Sequence, residues 1–377
     1  MAQYQPPIRD DLAGHTPYGA PQLDVEVRLN VNENPFPPSD ALAKALADNV
    51  EGAAVGMNRY PDRDFPELRQ ALADYLERES GVRLPLESIW AANGSNEVMA
   101  HVMHAFGGPG RIALTFPPTY SMYPEYARES FTELVSVPRR DDFSVDIEES
   151  LAAIAGHRPS LVLLASPNNP TGTSIDLDDV AQIARAVANV GGVLVVDEAY
   201  AEFRREGVGS ALELISDNPN VVVTRTMSKA FAMAGARVGY AAAHPAVIDA
   251  LRVVRLPYHL SAITQAVART ALDFADELQN DVALLREQRD ELAWSLESRG
   301  LTVAPSDANF CFFGTFPNRH RVWQGLLDRG VLIRETGPEN WLRVSVGTPE
   351  ENARFIAALD EVLAVLQFDG KGNGGNE

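Results

Sequence analysis

Short, unbroken apolar runs recur along the chain at residues 112–116, 134–137, 161–165, 193–196, 221–224 and 238–243. Each is too short for a helix and lacks the in–out alternation of a half-exposed strand, a pattern that belongs to strands covered on both faces. Amphipathic stretches lie between most of them, for example residues 178–189. This order of elements predicts an α/β fold built on a mostly parallel sheet. Upstream, Leu68, Leu72, Tyr75 and Leu76 recur at helical spacing in a segment ending at Gly81.

Past residue 261 the texture changes. Leu278, Val282, Leu285, Leu292 and Leu296 form one helical stripe, interrupted by Arg289. Shorter strands are expected at 309–313, 331–333 and 342–346, then a last amphipathic helix from Pro349. The expected organisation is a proline-rich arm over residues 1–35, a large domain over 36–260, a smaller α+β domain over 261–368, and a flexible Gly/Asn-rich tail over 369–377.

The formal net charge of −20 argues against binding nucleic acid or an anionic membrane surface. No apolar stretch approaches the ~20 residues that cross a bilayer, and the first twelve residues lack the pattern of a secretory signal. The cytoplasm is the expected location. Cys311, the single cysteine, sits among Phe310, Phe312 and Phe313 and reads as a buried strand residue rather than a nucleophile. His101 and His104 read as packing residues, and no metal is expected. An acidic protein that binds anions must do so with a few donors concentrated in a pocket, which draws attention to arginines in apolar surroundings.

Parallel sheets bind ligands beyond the carboxyl ends of their strands, and those ends are chemically unusual here. Run 221–224 leads into Thr226, Ser228 and Lys229, and Lys229 is followed by Ala230, Phe231, Ala232, Met233 and Ala234. A desolvated lysine has a lowered pKa and suits Schiff-base chemistry; the alternative is a surface lysine at a helix start. Arg237 offers a planar fork for a phosphate dianion. Run 193–196 ends in Asp197-Glu198-Ala199-Tyr200, where Asp197 serves either a ligand or a helix N-cap. Run 161–165 ends in a rigid turn that presents Asn169. Ser95 and Asn96 open a helix whose first amides make an anion site or a plain cap. Tyr120 follows run 112–116, placed to cover a flat heterocycle.

Residues 166–172 (SPNNPTG), Asp197-Glu198-Ala199-Tyr200 and Thr226-Met227-Ser228-Lys229, with Arg237 behind, resemble the fold-type I pyridoxal 5'-phosphate (PLP) aminotransferases of class I/II. More narrowly, the chain resembles the histidinol-phosphate aminotransferase family. The likeness runs from about Tyr18 to the last helix and includes residues 29–35 (LNVNENP), Arg59-Tyr60-Pro61, Pro257-Tyr258 and residues 342–347 (LRVSVG).

The resemblance implies a homodimer with PLP as cofactor. It makes Lys229 the Schiff-base lysine and proton carrier, sets Asp197 beside the ring nitrogen and Asn169 and Tyr200 at the ring oxygen, and stacks Tyr120 on the ring. Ser95, Asn96, Thr226, Ser228 and Arg237 would cradle the phosphate, and Tyr60 would reach it from the neighbouring subunit. Tyr18, Asn32, Tyr258, Arg334 and Arg343 would bind substrate. For Arg334, an ion pair with Glu335 or Glu339 is the alternative. The implied reaction exchanges the amino group of L-histidinol phosphate with 2-oxoglutarate, giving imidazole acetol phosphate and L-glutamate in histidine biosynthesis. An aromatic amino-acid aminotransferase of the same family is the rival reading. A nicotinamide oxidoreductase is disfavoured, since no strand runs into a Gly-x-Gly-x-x-Gly turn.

Overall fold

A computed structural model describes residue 4, residues 6–17 and residues 19–372, with side chains to residue 366. In chain order the elements are β1 (Val27–Arg28), α1 (Asp40–Ala54), α2 (Pro66–Ser80), β2 (Ile89–Ala92), α3 (Ser95–Phe106), β3 (Ile112–Thr115), α4 (Tyr123–Glu129), β4 (Glu133–Ser136), α5 (Ile147–His157), β5 (Leu161–Ala165), α6 (Leu177–Asn189), β6 (Val193–Asp197), β7 (Val221–Thr226), β8 (Gly239–Ala243) and α7 (Pro245–Val254). There follow α8 (Ala262–Asp273), α9 (Ala275–Glu297), β9 (Thr302–Val303), β10 (Phe310–Gly314), α10 (Arg319–Leu327), β11 (Val331–Leu332), β12 (Arg334–Glu335), β13 (Trp341–Ser345) and α11 (Pro349–Gly372). The last helix thus enters the stretch read from composition as a tail; residues 373–377 lie outside the described residues.

A seven-stranded sheet in the order β2-β8-β7-β6-β5-β3-β4 dominates. Every residue of β5, β7 and β8 is buried, which explains why their sequences read as unbroken apolar runs rather than alternating ones. At the edge, β4 is partly exposed along its length. Only β8 runs antiparallel to its neighbours β7 and β2. Its first residue, Gly239, has a steric reason: a Cβ there would stand 2.1 Å from the Ser95 amide nitrogen and 2.3 Å from the Gly94 carbonyl carbon. The missing side chain lets the start of α3 lie against the sheet.

A second, antiparallel sheet, β12-β13-β10-β9, follows, and β1 pairs in parallel with β11. One apolar core extends through Leu285 of α9, and another begins at Leu292 on the same helix. Burying each such leucine contributes about 1.5–3 kcal/mol. Arg289, the break in the stripe, is buried between them and donates to the Phe203 carbonyl at 2.7 Å. Cys311 is buried in β10, where burial pushes its thiol up to about 12.

Candidate active site

The carboxyl ends of β5, β6 and β7 and the start of α3 open on one cleft of about 250 Å³, closed from the other side by residues 30–32 and by β12 and β13. The anion end is built at the start of α3. Gly94 precedes it with φ 83°, and no side chain caps the helix, so the first amides there remain available to a ligand. Arg237 Nη1 donates to Ser228 Oγ at 3.1 Å, and the Thr226 hydroxyl donates to the same oxygen at 3.0 Å. A Cβ on Gly94 would meet Arg237 Nη2 at 2.5 Å. Ser95, Asn96, Thr226, Ser228 and Arg237 therefore converge on a cradle that a phosphate dianion fits.

Asp197 ends β6 on the cleft floor, buried. Burial pushes its carboxyl up to about 6, restrained by hydroxyls of Tyr123 on Oδ2 and Thr224 on Oδ1, each at 3.2 Å. Among the described residues no basic side chain pairs with it, so the site suits a ligand that brings its own positive N–H. Tyr123 and Thr224 escape sequence reading: Tyr123 lies three residues past Tyr120 at a helix start, and Thr224 faces Asp197 only through the β6–β7 register.

Lys229 follows β7 and is half-buried, its Nζ donating to the Val31 carbonyl at 2.9 Å. Desolvation first, then Arg343 and Arg237, lower its pKa to about 8. Tyr120 also lines the cleft and donates to Asn96 Oδ1 at 3.3 Å. The Tyr200 hydroxyl accepts from Asn32 Nδ2 at 3.0 Å, and Asn32 Oδ1 accepts from Ser345 at 2.9 Å, so Asn32 is engaged at both ends of its side chain. Asn169 Oδ1 accepts from Arg343 Nη1 at 2.5 Å, while Arg343 Nη2 donates to the Asn30 carbonyl at 2.9 Å.

Arg334 and Arg343 stand directly opposite each other in the β12–β13 register. Like charges so placed are destabilising unless an anion lies between them. Glu335 faces Arg319 at 3.7 Å and His320 at 3.1 Å, not Arg334. No salt bridge joins Arg334 to Glu335 or to Glu339 among the described residues, and Arg334 lines the cleft. Tyr60 and Tyr258 are not brought into this cleft. They stack on each other outside it, ring centroids 4.6 Å apart, and Tyr60 is 80% exposed. Tyr18 lies outside the described residues. His101 is buried and its imidazole lowered to about 4 by desolvation, consistent with packing; His104 is exposed. The described residues hold no group of three metal-ligating side chains.

An arginine- and hydroxyl-lined cradle, a buried acid with no basic partner among the described residues, and a lysine amine of depressed pKa line one cleft, a set that suits one cofactor. The class that fold and cleft define is the PLP-dependent aminotransferase. The profile of the family described as Aminotransferase class I and II matches residues 25–359. The histidinol-phosphate aminotransferase of Thermobifida fusca is 61% identical over 94% of each chain, and histidinol-phosphate aminotransferase 3 of Burkholderia lata is 56% identical over 95% of this chain and 96% of its own. Among solved structures, the histidinol-phosphate aminotransferase of Sinorhizobium meliloti in complex with pyridoxal-5'-phosphate superposes with a TM-score of 0.82, at 29% identity over 91% of this chain and 92% of that one. Aspartate aminotransferase from Thermus thermophilus with maleate gives 0.77, at 25% identity over 90% and 92%. The chain belongs to the aminotransferase class I and II family, and within it to the histidinol-phosphate aminotransferases.

Proposed function

We propose that the protein moves the amino group of L-histidinol phosphate to 2-oxoglutarate, giving imidazole acetol phosphate and L-glutamate. The observation that carries this reading is the opposed pair Arg334 and Arg343, set on the cleft that holds the Lys229 amine. Histidinol phosphate offers a phosphate and no α-carboxylate, whereas 2-oxoglutarate and glutamate offer carboxylates. A fork of guanidinium donors accepts either anion, so one pair serves both half-reactions.

PLP, when bound, supplies an aldehyde carbon that takes up amino groups and a ring that withdraws the electron pair of a broken Cα–H bond. The Lys229 amine would hold that carbon in the resting enzyme and would carry the proton removed from the substrate Cα. The Asp197 carboxylate keeps a proton on the ring nitrogen. Tyr200 and Asn169 would orient the cofactor's ring oxygen, Tyr120 would cover its ring, and Ser95, Asn96, Thr226, Ser228 and Arg237 would hold its phosphate. Arg334 and Arg343 bind the substrate anion, with Asn32, Tyr258 and Tyr18 assigned to the substrate by family likeness.

A homodimer belongs to this reading. Support comes from exposed Val55, Met57 and Tyr60 in one stretch and Val253 and Leu256 in another, linked by the Tyr60–Tyr258 stack, since a contiguous apolar surface marks an interface. Tyr60 would then reach the phosphate in the partner's cleft, and Tyr258 the substrate there. The proposed setting is the cytoplasm; no helix of the described residues is long and apolar enough to cross a membrane. The arm over 1–35, the large domain over 36–260 and the small domain from 261 are the proposed units.

The test compares kcat/KM for histidinol phosphate and for phenylalanine, each with 2-oxoglutarate. Histidinol phosphate should be preferred. Preference for phenylalanine overturns the substrate, and transfer from neither overturns the reaction.

A further inference from the structure

Behind the cleft floor the sheet carries a second polar layer. Successive residues of a strand face opposite sides. Asp197 and Thr224 meet on the cleft side, so Glu198 and Arg225 face the other way, only 2% and 1% exposed. Arg225 Nε and Nη2 both donate to Glu198 Oε2, at 3.1 and 2.8 Å. Its Nη1 donates to Glu79 Oε2 on α2 at 2.7 Å. Glu198 is held further by the Ser210 hydroxyl at 2.8 Å and the Ala211 amide at 2.7 Å. Arg204 lies 3.1 Å from Glu79 and 3.8 Å from Glu198. Glu202, 3.8 Å from Arg225, accepts from the Tyr75 hydroxyl at 3.2 Å, and the Tyr75 ring packs edge-on against Phe231, two residues past Lys229.

Stability alone does not call for this layer. Buried ion pairs lose so much solvation that well-packed apolar residues often serve as well, and their best-attested use is fixing register. Here the pair joins the residue just past β6 to the next-to-last residue of β7, one step beyond the last registered pair Asp197–Thr224. β6 delivers Asp197, and β7 delivers Thr226 and then Ser228 and Lys229.

We propose that Arg225 and Glu198 are positioning residues for the cofactor site. Their forked ion pair, anchored to α2 through Glu79, fixes the carboxyl ends of β6 and β7. Asp197 and the group Thr226, Ser228 and Lys229 then stand at the separation that one cofactor molecule requires. Neither residue of the pair touches the cofactor; both act through the strands that carry those that do. The inference rests on the cofactor reading above.

The test uses Arg225→Lys, which keeps the charge but not the fork, and Glu198→Gln, which keeps the shape but not the charge. For each, the PLP dissociation constant is measured by titrating the apoenzyme, with kcat and the KM for the amino donor measured at saturating PLP. Both variants should bind PLP about tenfold more weakly, the order of loss expected from sub-ångström misplacement of several contacts. Both should lower kcat and leave KM within about twofold, because Arg334 and Arg343 sit on the other sheet. PLP affinity within twofold of the parent in either folded variant overturns the proposal, whatever happens to the melting temperature. Failure of both variants to fold also counts against it, since the pair would then be a plain structural element. If the parent itself binds no PLP, the cofactor reading fails instead.

Discussion

The surroundings of Lys229 disfavour a cation. Desolvation and the two nearby arginines bring its pKa to about 8, with only Glu33 opposing. The free amine is the form that attacks an aldehyde, and its fraction grows as pH rises through the folded pKa. The rate at which apoenzyme takes up PLP should therefore climb between pH 7 and 9 and level off above; a flat stopped-flow profile over that range contradicts the assignment. Borohydride treatment of the PLP-loaded protein should leave the reduced cofactor on residue 229, detectable by peptide mass. Lys229→Ala should show neither adduct nor turnover. Asp197→Asn keeps the oxygen that accepts from Thr224 or Tyr123 but removes the charge, and should cut kcat on the order of 100-fold or more. The places of Asp197 and Lys229 in the cleft were legible because one is an acid directly after an apolar run and the other a lysine followed by the apolar residues 230–234. Tyr123 and Thr224 were not, because their relation to Asp197 exists only once the strands are in register.

Among the elements, β5, β6 and β7 were legible because burial on both faces leaves β5 and the first residues of β6 and β7 wholly apolar, with polar residues appearing only toward the carboxyl ends of β6 and β7. β2 was missed: Ile89-Trp90-Ala91-Ala92 carries two alanines, which dilute the strand signal, and only packing against β8 declares it. The run at 238–243 was recognised as a strand, but its antiparallel direction was not legible, since an apolar run has no polarity. Nor could the sequence show the β12–β13 register that opposes Arg334 to Arg343. The β2–α3 turn gives the test at this scale. Gly94→Ala places a methyl group where φ is 83° and Arg237 Nη2 is 2.5 Å away. The backbone strain should lower stability by about 1 kcal/mol. Displacing Arg237 should weaken PLP about tenfold, roughly 1.4 kcal/mol. The melting temperature of the apoenzyme and PLP titration separate the two effects. Unchanged PLP affinity would show that the guanidinium does not face the phosphate.

In the molecule as a whole, a net charge of −20 coexists with a cleft in which Lys229, Arg237, Arg334 and Arg343 are gathered. The acidic exterior discourages adventitious polyanions, while the enclosed cations retain small ones through short, desolvated contacts. That division leaves the Tyr60–Tyr258 surface with neither role in a single protomer. Val253 and Leu256 are 83% and 73% exposed beside it in sequence, and Tyr60 is 80% exposed and does not line its own cleft. A second copy accounts for both facts. The protein should therefore sediment at twice its 41.0 kDa chain mass. Val253→Asp combined with Leu256→Asp should shift it to the monomer and weaken PLP binding at the same time, because desolvating two carboxylates in the interface is unfavourable and the partner's tyrosine is lost with it. Tyr60→Phe removes one hydroxyl and leaves the apolar surface intact. It should stay dimeric and bind PLP about threefold to tenfold more weakly, the loss of one hydrogen bond to a charged group. A parent that sediments at the single-chain mass with full PLP affinity would remove the partner from the site.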